Sequence, residues 1–307
     1  MGAEPLAGIT EIRQYARRAL VAAGQTGESF VDLDQVTTAV GLRKAQLYAE
    51  DGEMPPQFSA FIKSFASKVM GVLDIPEKTI YVDAALPDGR RRFTHGHEIG
   101  HDVLPWHAGA FYHDDATTLA PETKDDLERE ANAFASELLF GAGKFTQIAD
   151  DYAPGLGVAL SLAGVYGTSA AAALRYYVEW SSRPMALVAL SRYETNTAGV
   201  RGVRIMAHQS FTSMTFASRF GTVESMFPTG YVTTANGAFH LASESTSVGV
   251  GAMGDVHLVT SRGTVTFQAE MFNNNRLRYL VLTRRSRLQG RRKELVDAQG
   301  RPLQRAL

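Results

Sequence analysis

Apolar residues in the first part of the chain recur at the spacing of amphipathic helices. Ile9 to Ala23 has such a stripe and is followed by Gly24, a residue that favours the end of a helix. A shorter helix is predicted from Val31 to Val40. Residues 42–58 are polar and are predicted to form a loop. The chain therefore opens with helices.

Two short β segments and two long helices are predicted next. Lys68 to Leu73 and Thr79 to Ala84 have the composition of strands, and the turn residues between them indicate a hairpin. One helix is predicted from Arg90 to Leu104, because Pro105 cannot continue it, and another from Pro121 to Phe140. This order favours a small sheet beside two helices.

Two more helices, Leu156 to Val165 and Ser169 to Trp180, are spaced like a helix-turn-helix. The second helix contains Arg175 but no asparagine or glutamine. It therefore has few side chains that can form specific hydrogen bonds with base edges. We therefore expect these helices to pack within the protein, and we expect no direct DNA binding.

After Pro184 the apolar pattern changes from helical spacing to alternation, which is typical of strands. A short helix is expected near Ser213 to Phe220 or Val223 to Phe227. The predicted strands are Ala186 to Ser191, Val200 to Ala207, Gly230 to Thr234, Ser247 to Gly251, Val256 to Ser261, Thr264 to Glu270 and Tyr279 to Thr283.

These elements predict an α+β fold in three parts. A mainly helical domain with a small β-hairpin occupies residues 1–150, a helix-turn-helix-like segment residues 151–183, and a β-rich domain residues 184–307. The net charge of -1 argues against nucleic-acid binding by the whole protein. The start of the chain lacks the apolar segment of a signal peptide, and no run is long enough to span a bilayer. We expect a cytoplasmic protein without a membrane partner.

The sequence His97-Glu98-Ile99-Gly100-His101 carries the candidate chemistry. Residues four apart share one face of a helix, so His97 and His101 can bind one metal ion. Glu98 lies beside that face, where a general base can take a proton from a water at the metal. The chain has no cysteine, so any metal must be held by histidine and carboxylate side chains.

Catalytic zinc sites usually have a third protein ligand, and two candidates compete. His107 has the spacing of a third histidine, but the turn that this pattern needs would fall on Leu104, where glycine is required. The better candidate is Glu128, because Asn132, one turn on, can hydrogen-bond the ligating carboxylate and fix its direction. Glu130 is predicted to face solvent or to pair with an arginine.

Two glycines mark one face of the first long helix. Glycine destabilises a helix by about 1 kcal/mol relative to alanine. Gly96 and Gly100, four residues apart, therefore indicate that another backbone packs closely there. Ala131 and Ala135 of the second long helix are small enough to face them.

The segments Arg91 to His101 and Glu128 to Leu139 resemble the paired motifs of the ImmA/IrrE metallopeptidase family. That family reads R-x-x-F-T-x-x-H-E-x-G-H and then E-x-E-A-N-x-F-A-x-x-L-L. The resemblance implies that His97, His101 and Glu128 bind zinc and that Glu98 is the catalytic base. Two histidines and a glutamate also accept manganese, which is therefore the alternative metal. Phe140-Gly141 departs from the Met-Pro of many members.

The resemblance also implies a function. Members of the family cleave helix-turn-helix transcriptional repressors and so release stress-response or mobile-element genes. One branch has a C-terminal GAF-like domain, which suggests a signal ligand for residues 184–307, although no motif assigns them to that fold. The alternative is a non-proteolytic regulator that acts by binding a partner or DNA.

Peptide hydrolysis also needs a donor to the developing oxyanion. His95, Tyr112 and His113 lie close enough in sequence to be candidates.

Overall fold

The computed structural model describes residues 8–48, 70–107, 121–196, 199–236, 238–244 and 247–284. They divide into two compact units. One spans Pro5–Phe145 with Val165–Ser169, and the other comprises mainly Thr146–Gly164 with Ala170–Leu307. The first unit is mainly helical and the second is rich in strands, so the α+β class is confirmed. The predicted division at residues 150 and 183 stays a prediction.

The helices of the first unit pack around one apolar core. Asp32 begins the second of them, where its carboxylate accepts hydrogen bonds from the backbone of Asp34 and Gln35. Arg13 ties the first helix to the fourth through a two-pronged ion pair with the buried Glu137. The helices are α1 (Ile9–Ala22), α2 (Leu33–Ala39), α3 (Asp88–Val103) and α4 (Pro121–Leu139).

A small sheet lies beside these helices. Its strands are β1 (Arg43–Gln46), β2 (Gly71–Asp74) and β3 (Thr79–Val82), in the order β1-β3-β2. The predicted hairpin is β2 and β3, which pair in antiparallel fashion. β1 pairs with β3 in parallel, so the loop predicted for residues 42–58 is wrong at its start. β1 is short and mostly exposed, and this explains why it lacks an apolar pattern.

The close approach of α3 and α4 is confirmed. A β-carbon on Gly96 would lie 3.5 Å from both Cα and Cβ of Ala135. A β-carbon on Gly100 would lie 3.0 Å from Cδ1 of Phe134 and 3.2 Å from its Cβ. The atoms nearest to this position at Gly100 therefore belong to Phe134, a neighbour that the pattern of small residues did not predict. The two helices meet along the face that carries the histidine motif.

The second unit contains helices and a large antiparallel sheet. One short helix was predicted at either of two positions, and both positions are helical. Strand β8 joins two predicted strands through an irregularity between Val250 and Met253. The helix near residue 240 was not predicted. Following α5 (Lys144–Asp150), the elements are α6 (Leu156–Val165), α7 (Ala170–Trp180), β4 (Met185–Thr195), β5 (Arg201–Ile205), β6 (Phe211–Thr212), α8 (Met214–Phe220), α9 (Val223–Met226), β7 (Tyr231–Val232), α10 (Phe239–Glu244), β8 (Gly249–Thr260), β9 (Gly263–Asn273) and β10 (Arg278–Thr283).

The sheet order is β7-β5-β4-β10-β9-β8, with β6 paired to β4. The helices α8, α9 and α10 contribute side chains such as Phe216, Met226 and Leu241 to a buried core with the central strands. The backbone N–H of Leu156, at the start of α6, donates to the carboxylate of Glu270 on β9. This contact fixes the helical segment to the sheet. In the described part of the chain, no helix is long and apolar enough to cross a membrane.

Candidate metal centre

Three side chains from α3 and α4 meet in the first unit. Nε2 of His97 lies 3.0 Å from Nε2 of His101. The carboxylate of Glu128 lies 3.3 Å from the first of these nitrogens and 3.7 Å from the second. The structure therefore brings together the three residues that the sequence predicted as metal ligands, and they form a group that could hold a metal ion.

The spacing of these atoms fits a tetrahedral ion. Bonds of about 2.0–2.2 Å at tetrahedral angles place ligand atoms about 3.3–3.6 Å apart. The three observed separations, 3.0, 3.3 and 3.7 Å, span this range. Two imidazoles and one carboxylate are also a donor set that divalent transition metals accept. The residues present thus suit a divalent cation.

The outer nitrogen of His97 points at Asn132. Its Nδ1 lies 3.1 Å from Oδ1 of that residue, and since the amide oxygen only accepts, Nδ1 donates. The lone pair of neutral His97 is then on Nε2, which faces the other ligands. Asn132 thus contacts the histidine and not, as predicted, the carboxylate of Glu128. Its effect is to fix the ring in the ligating tautomer.

The charges of the cluster shift its pKa values. Burial alone would lower the pKa of His97, but the hydrogen bond with Glu128 and the charge of Glu98 outweigh it and raise the pKa. The same hydrogen bond lowers the pKa of Glu128. Burial lowers the pKa of His101, with the charge of His97 acting in the same direction. The direction of each shift follows from burial and from the closeness of the charged side chains.

Glu98 lies against the cluster and is 7% exposed. Burial raises the pKa of its carboxyl to about 7, the charge of His97 opposes this rise, and the charge of Glu128 supports it. Strand β2 covers the carboxyl from one side, since a β-carbon on Gly71 would lie 2.8 Å from Oε1. A carboxyl with a pKa near neutrality beside a metal site is a candidate acid–base group.

His95, one of the predicted oxyanion donors, lies against helix α2. Nε2 of His95 lies 2.7 Å from the hydroxyl of Thr37, and its Nδ1 lies 3.9 Å from Asp34. Both partners belong to α2, so the ring contacts that helix. Tyr112 and His113 lie outside the described residues.

Sequence reasoning missed the surroundings of Glu130. This residue accepts hydrogen bonds from Nε1 of Trp106 at 2.6 Å and from Nε2 of His107 at 3.0 Å. The prediction that Glu130 faces solvent or pairs with an arginine is wrong. His107 is fully buried, and burial lowers its pKa. The signal in the sequence was the Trp106-His107 pair directly after the helix-ending Pro105.

A family of known proteins matches the part of the chain that contains these residues. Residues 61–176 match the family described as the IrrE N-terminal-like domain, Peptidase_M78. This range contains the histidine motif and the segment with Glu128. No curated protein matches the chain.

A solved structure of a Mycobacterium tuberculosis transcriptional regulator is similar in fold. The likeness has a TM-score of 0.51 and 14% sequence identity, and it covers 89% of this chain and 75% of the other. At this identity the likeness concerns the fold alone. The similar α+β fold covers more of the chain than residues 61–176, which match the family.

Proposed function

We propose that the chain, whose residues 61–176 match the IrrE N-terminal-like domain family, is a zinc-dependent endopeptidase of the ImmA/IrrE family. One observation carries the proposal. The lone pairs of His97 and His101 converge with the carboxylate of Glu128 within 3.7 Å, directly beside the buried Glu98. Three atoms with lone pairs this close together repel one another, and a bound cation would offset that repulsion. Manganese is the alternative metal, because the donor set accepts it.

The chain's own residues have distinct roles in the proposed hydrolysis. His97, His101 and Glu128 would hold the ion, which when bound polarises a substrate carbonyl and acidifies water. Glu98 accepts the proton of the attacking water at its carboxylate and delivers it to the leaving amide nitrogen. A carboxyl whose pKa lies about 7 suits both transfers at neutral pH. Tyr112 and His113 remain candidate oxyanion donors.

The free edge of the small sheet suggests how a peptide is held. In the described chain, β2 lies at the end of the order β1-β3-β2 and covers Glu98. An extended substrate that pairs with β2 would therefore pass the site through backbone hydrogen bonds. The backbone N–H of Asp83 donates to the carbonyl oxygen of Met70, so this opposite pair is hydrogen-bonded. Hydrogen-bonded and non-bonded pairs alternate along antiparallel strands, and the N–H of Val72 therefore points toward β3. Proline at Leu73, rather than at Val72, would block the free edge.

The substrate we propose is a helix-turn-helix repressor. The support is the resemblance to the ImmA/IrrE family. A repressor substrate places the activity in the cytoplasm. We further propose that the second unit is a GAF-like sensor, since its sheet and helices enclose a separate apolar core.

The experiment compares new protein termini in a lysate of the source cell. Wild type and Glu98→Gln are each added with zinc and then with manganese, and termini are identified by mass spectrometry. The proposal predicts a new terminus in a helix-turn-helix protein with wild type that is absent with Glu98→Gln. Equal terminus patterns for both proteins under both metals would favour the non-proteolytic regulator.

A further inference from the structure

A hydrogen-bonded chain runs from His101 away from the ligand cluster. Nδ1 of His101 lies 3.0 Å from Nδ1 of His107. Nε2 of His107 in turn lies 3.0 Å from Oε2 of Glu130, which also accepts from Trp106. His107 is fully buried, and the side chain of Glu130 is 18% exposed. The chain therefore ends on a carboxylate that is mostly shielded from water.

The carboxylate of Glu130 sets the direction of the hydrogen bonds that connect it through His107 to His101. An ionised carboxylate only accepts, so Nε2 of His107 donates to Glu130. Neutral His107 then has its lone pair on Nδ1, which accepts from Nδ1 of His101. As a result, His101 has its own lone pair on Nε2, the atom that faces His97 and Glu128. Only this tautomer of His101 can ligate a metal ion through Nε2.

His107 itself does not serve as a ligand in this arrangement. Its Nδ1 faces Nδ1 of His101, which is the opposite side of that ring from the ligating atom. Its other nitrogen is engaged by Glu130. The effect of His107 on the site therefore passes through His101.

We propose that Glu130 is a positioning residue of the metal centre and acts through His107 to hold His101 in its ligating tautomer and orientation. This inference rests on the proposed function of the site. The two ligand imidazoles are then supported separately, His97 by Asn132 and His101 by the His107–Glu130 pair. Helix α4 supplies Glu128, Glu130 and Asn132 within five consecutive residues.

The test measures metal affinity and does not depend on cleavage. Purified full-length wild type, Glu130→Leu, which removes the acceptor, and His107→Phe are titrated with zinc against a chromophoric chelator, and the visible spectra of their cobalt forms are recorded. Loss of the partner of a ligating histidine weakens metal binding by about 10–100-fold. We expect such a loss and an altered cobalt spectrum in both variants. Their combination should cost no more than His107→Phe alone, because both act through one chain.

The matched control is Asp126→Asn on the same helix, which removes a carboxylate that pairs with the exposed Arg129. Its zinc affinity and cobalt spectrum should equal those of wild type. If wild type binds neither metal, this proposal falls together with the metal centre. If wild type binds and both variants match it, or if their losses add in the double variant, the positioning role alone is overturned. Should Glu130→Leu not fold, the affinity and spectrum of His107→Phe decide: wild-type values overturn the proposal.

Discussion

Gly71 of strand β2 and Glu98 of helix α3 approach so closely that no side chain fits between them. A β-carbon on Gly71 would lie 2.8 Å from Oε1 of Glu98 and 2.5 Å from Cγ2 of Thr94. The backbone of the strand is thus packed directly against the proposed catalytic base. The absence of a side chain at residue 71 is what allows the strand to cover the carboxyl while leaving it in place.

Gly71→Ala should impair catalysis without removing the metal. The added methyl group must displace Glu98 or the strand, at a cost of about 1–3 kcal/mol in stability. We expect the cleavage rate to fall at least tenfold while zinc stoichiometry is retained. Gly157→Ala is the control, since a β-carbon there meets nothing within 4 Å. An unchanged rate in Gly71→Ala would show that the strand does not constrain the base.

The two glycines of α3 should respond differently to alanine. At Gly96 the new β-carbon makes ordinary contacts of 3.5 Å with Ala135, and the helix gains stability, so Gly96→Ala should be neutral or stabilising by up to about 1 kcal/mol. At Gly100 it would lie 3.2 Å from the β-carbon of Phe134, which cannot swing away. Gly100→Ala should destabilise the protein, by about 1–2 kcal/mol. Equal unfolding midpoints in urea would contradict this distinction.

Asn132 should matter for metal affinity through its acceptor oxygen. Asn132→Ala removes the acceptor for Nδ1 of His97, and we expect zinc binding to weaken about tenfold. Asn132→Asp keeps an acceptor and adds charge, so it should bind zinc as well as wild type or better. Competition with a chelator measures both. If zinc binding weakens equally in the two variants, the acceptor at residue 132 does not determine the metal affinity.

His95 should make the metal-free protein sensitive to acid. Burial, assisted by the charges of Lys44 and Arg92 and opposed by Asp34 and Asp32, lowers its pKa from 6.5 to about 4. The unfolded chain therefore binds the proton first, so this contribution is complete above pH 6.5 and is lost as the pH falls toward 4.

The stability advantage of wild type over His95→Gln should shrink across that window, by roughly 3 kcal/mol at most. Urea unfolding at pH 7, 5.5 and 4.5 measures the difference between the two proteins. A difference that stays constant with pH would contradict the assignment.

The convergence of the ligands was predictable from sequence because it depends on regular helices. The spacing of His97 and His101 fixes their common face, and the small residues Gly96 and Ala135 allow α4 to bring Glu128 to them. These signals are local or involve residue size, and both are visible in the sequence. The helix bounds were also close, since Pro105 ends α3 soon after Val103.

The surroundings of the ligands were not predictable in the same way. The contact between His107 and Glu130 joins a residue just past the end of α3 to a residue 23 positions later. No periodic pattern encodes the direction of a side chain there. Strand β1 was missed for a related reason, since it is mostly polar and its pairing with the distant β3 is parallel.

The most direct test of the account is where a metal ion binds. Crystals grown with zinc, measured at the zinc absorption edge, locate the ion by anomalous scattering. We predict one strong peak about 2.0–2.2 Å from Nε2 of His97, Nε2 of His101 and a carboxylate oxygen of Glu128. A zinc-bound crystal whose peak lies away from these three atoms, or zinc-grown crystals without a peak among them, would contradict the proposed metal centre.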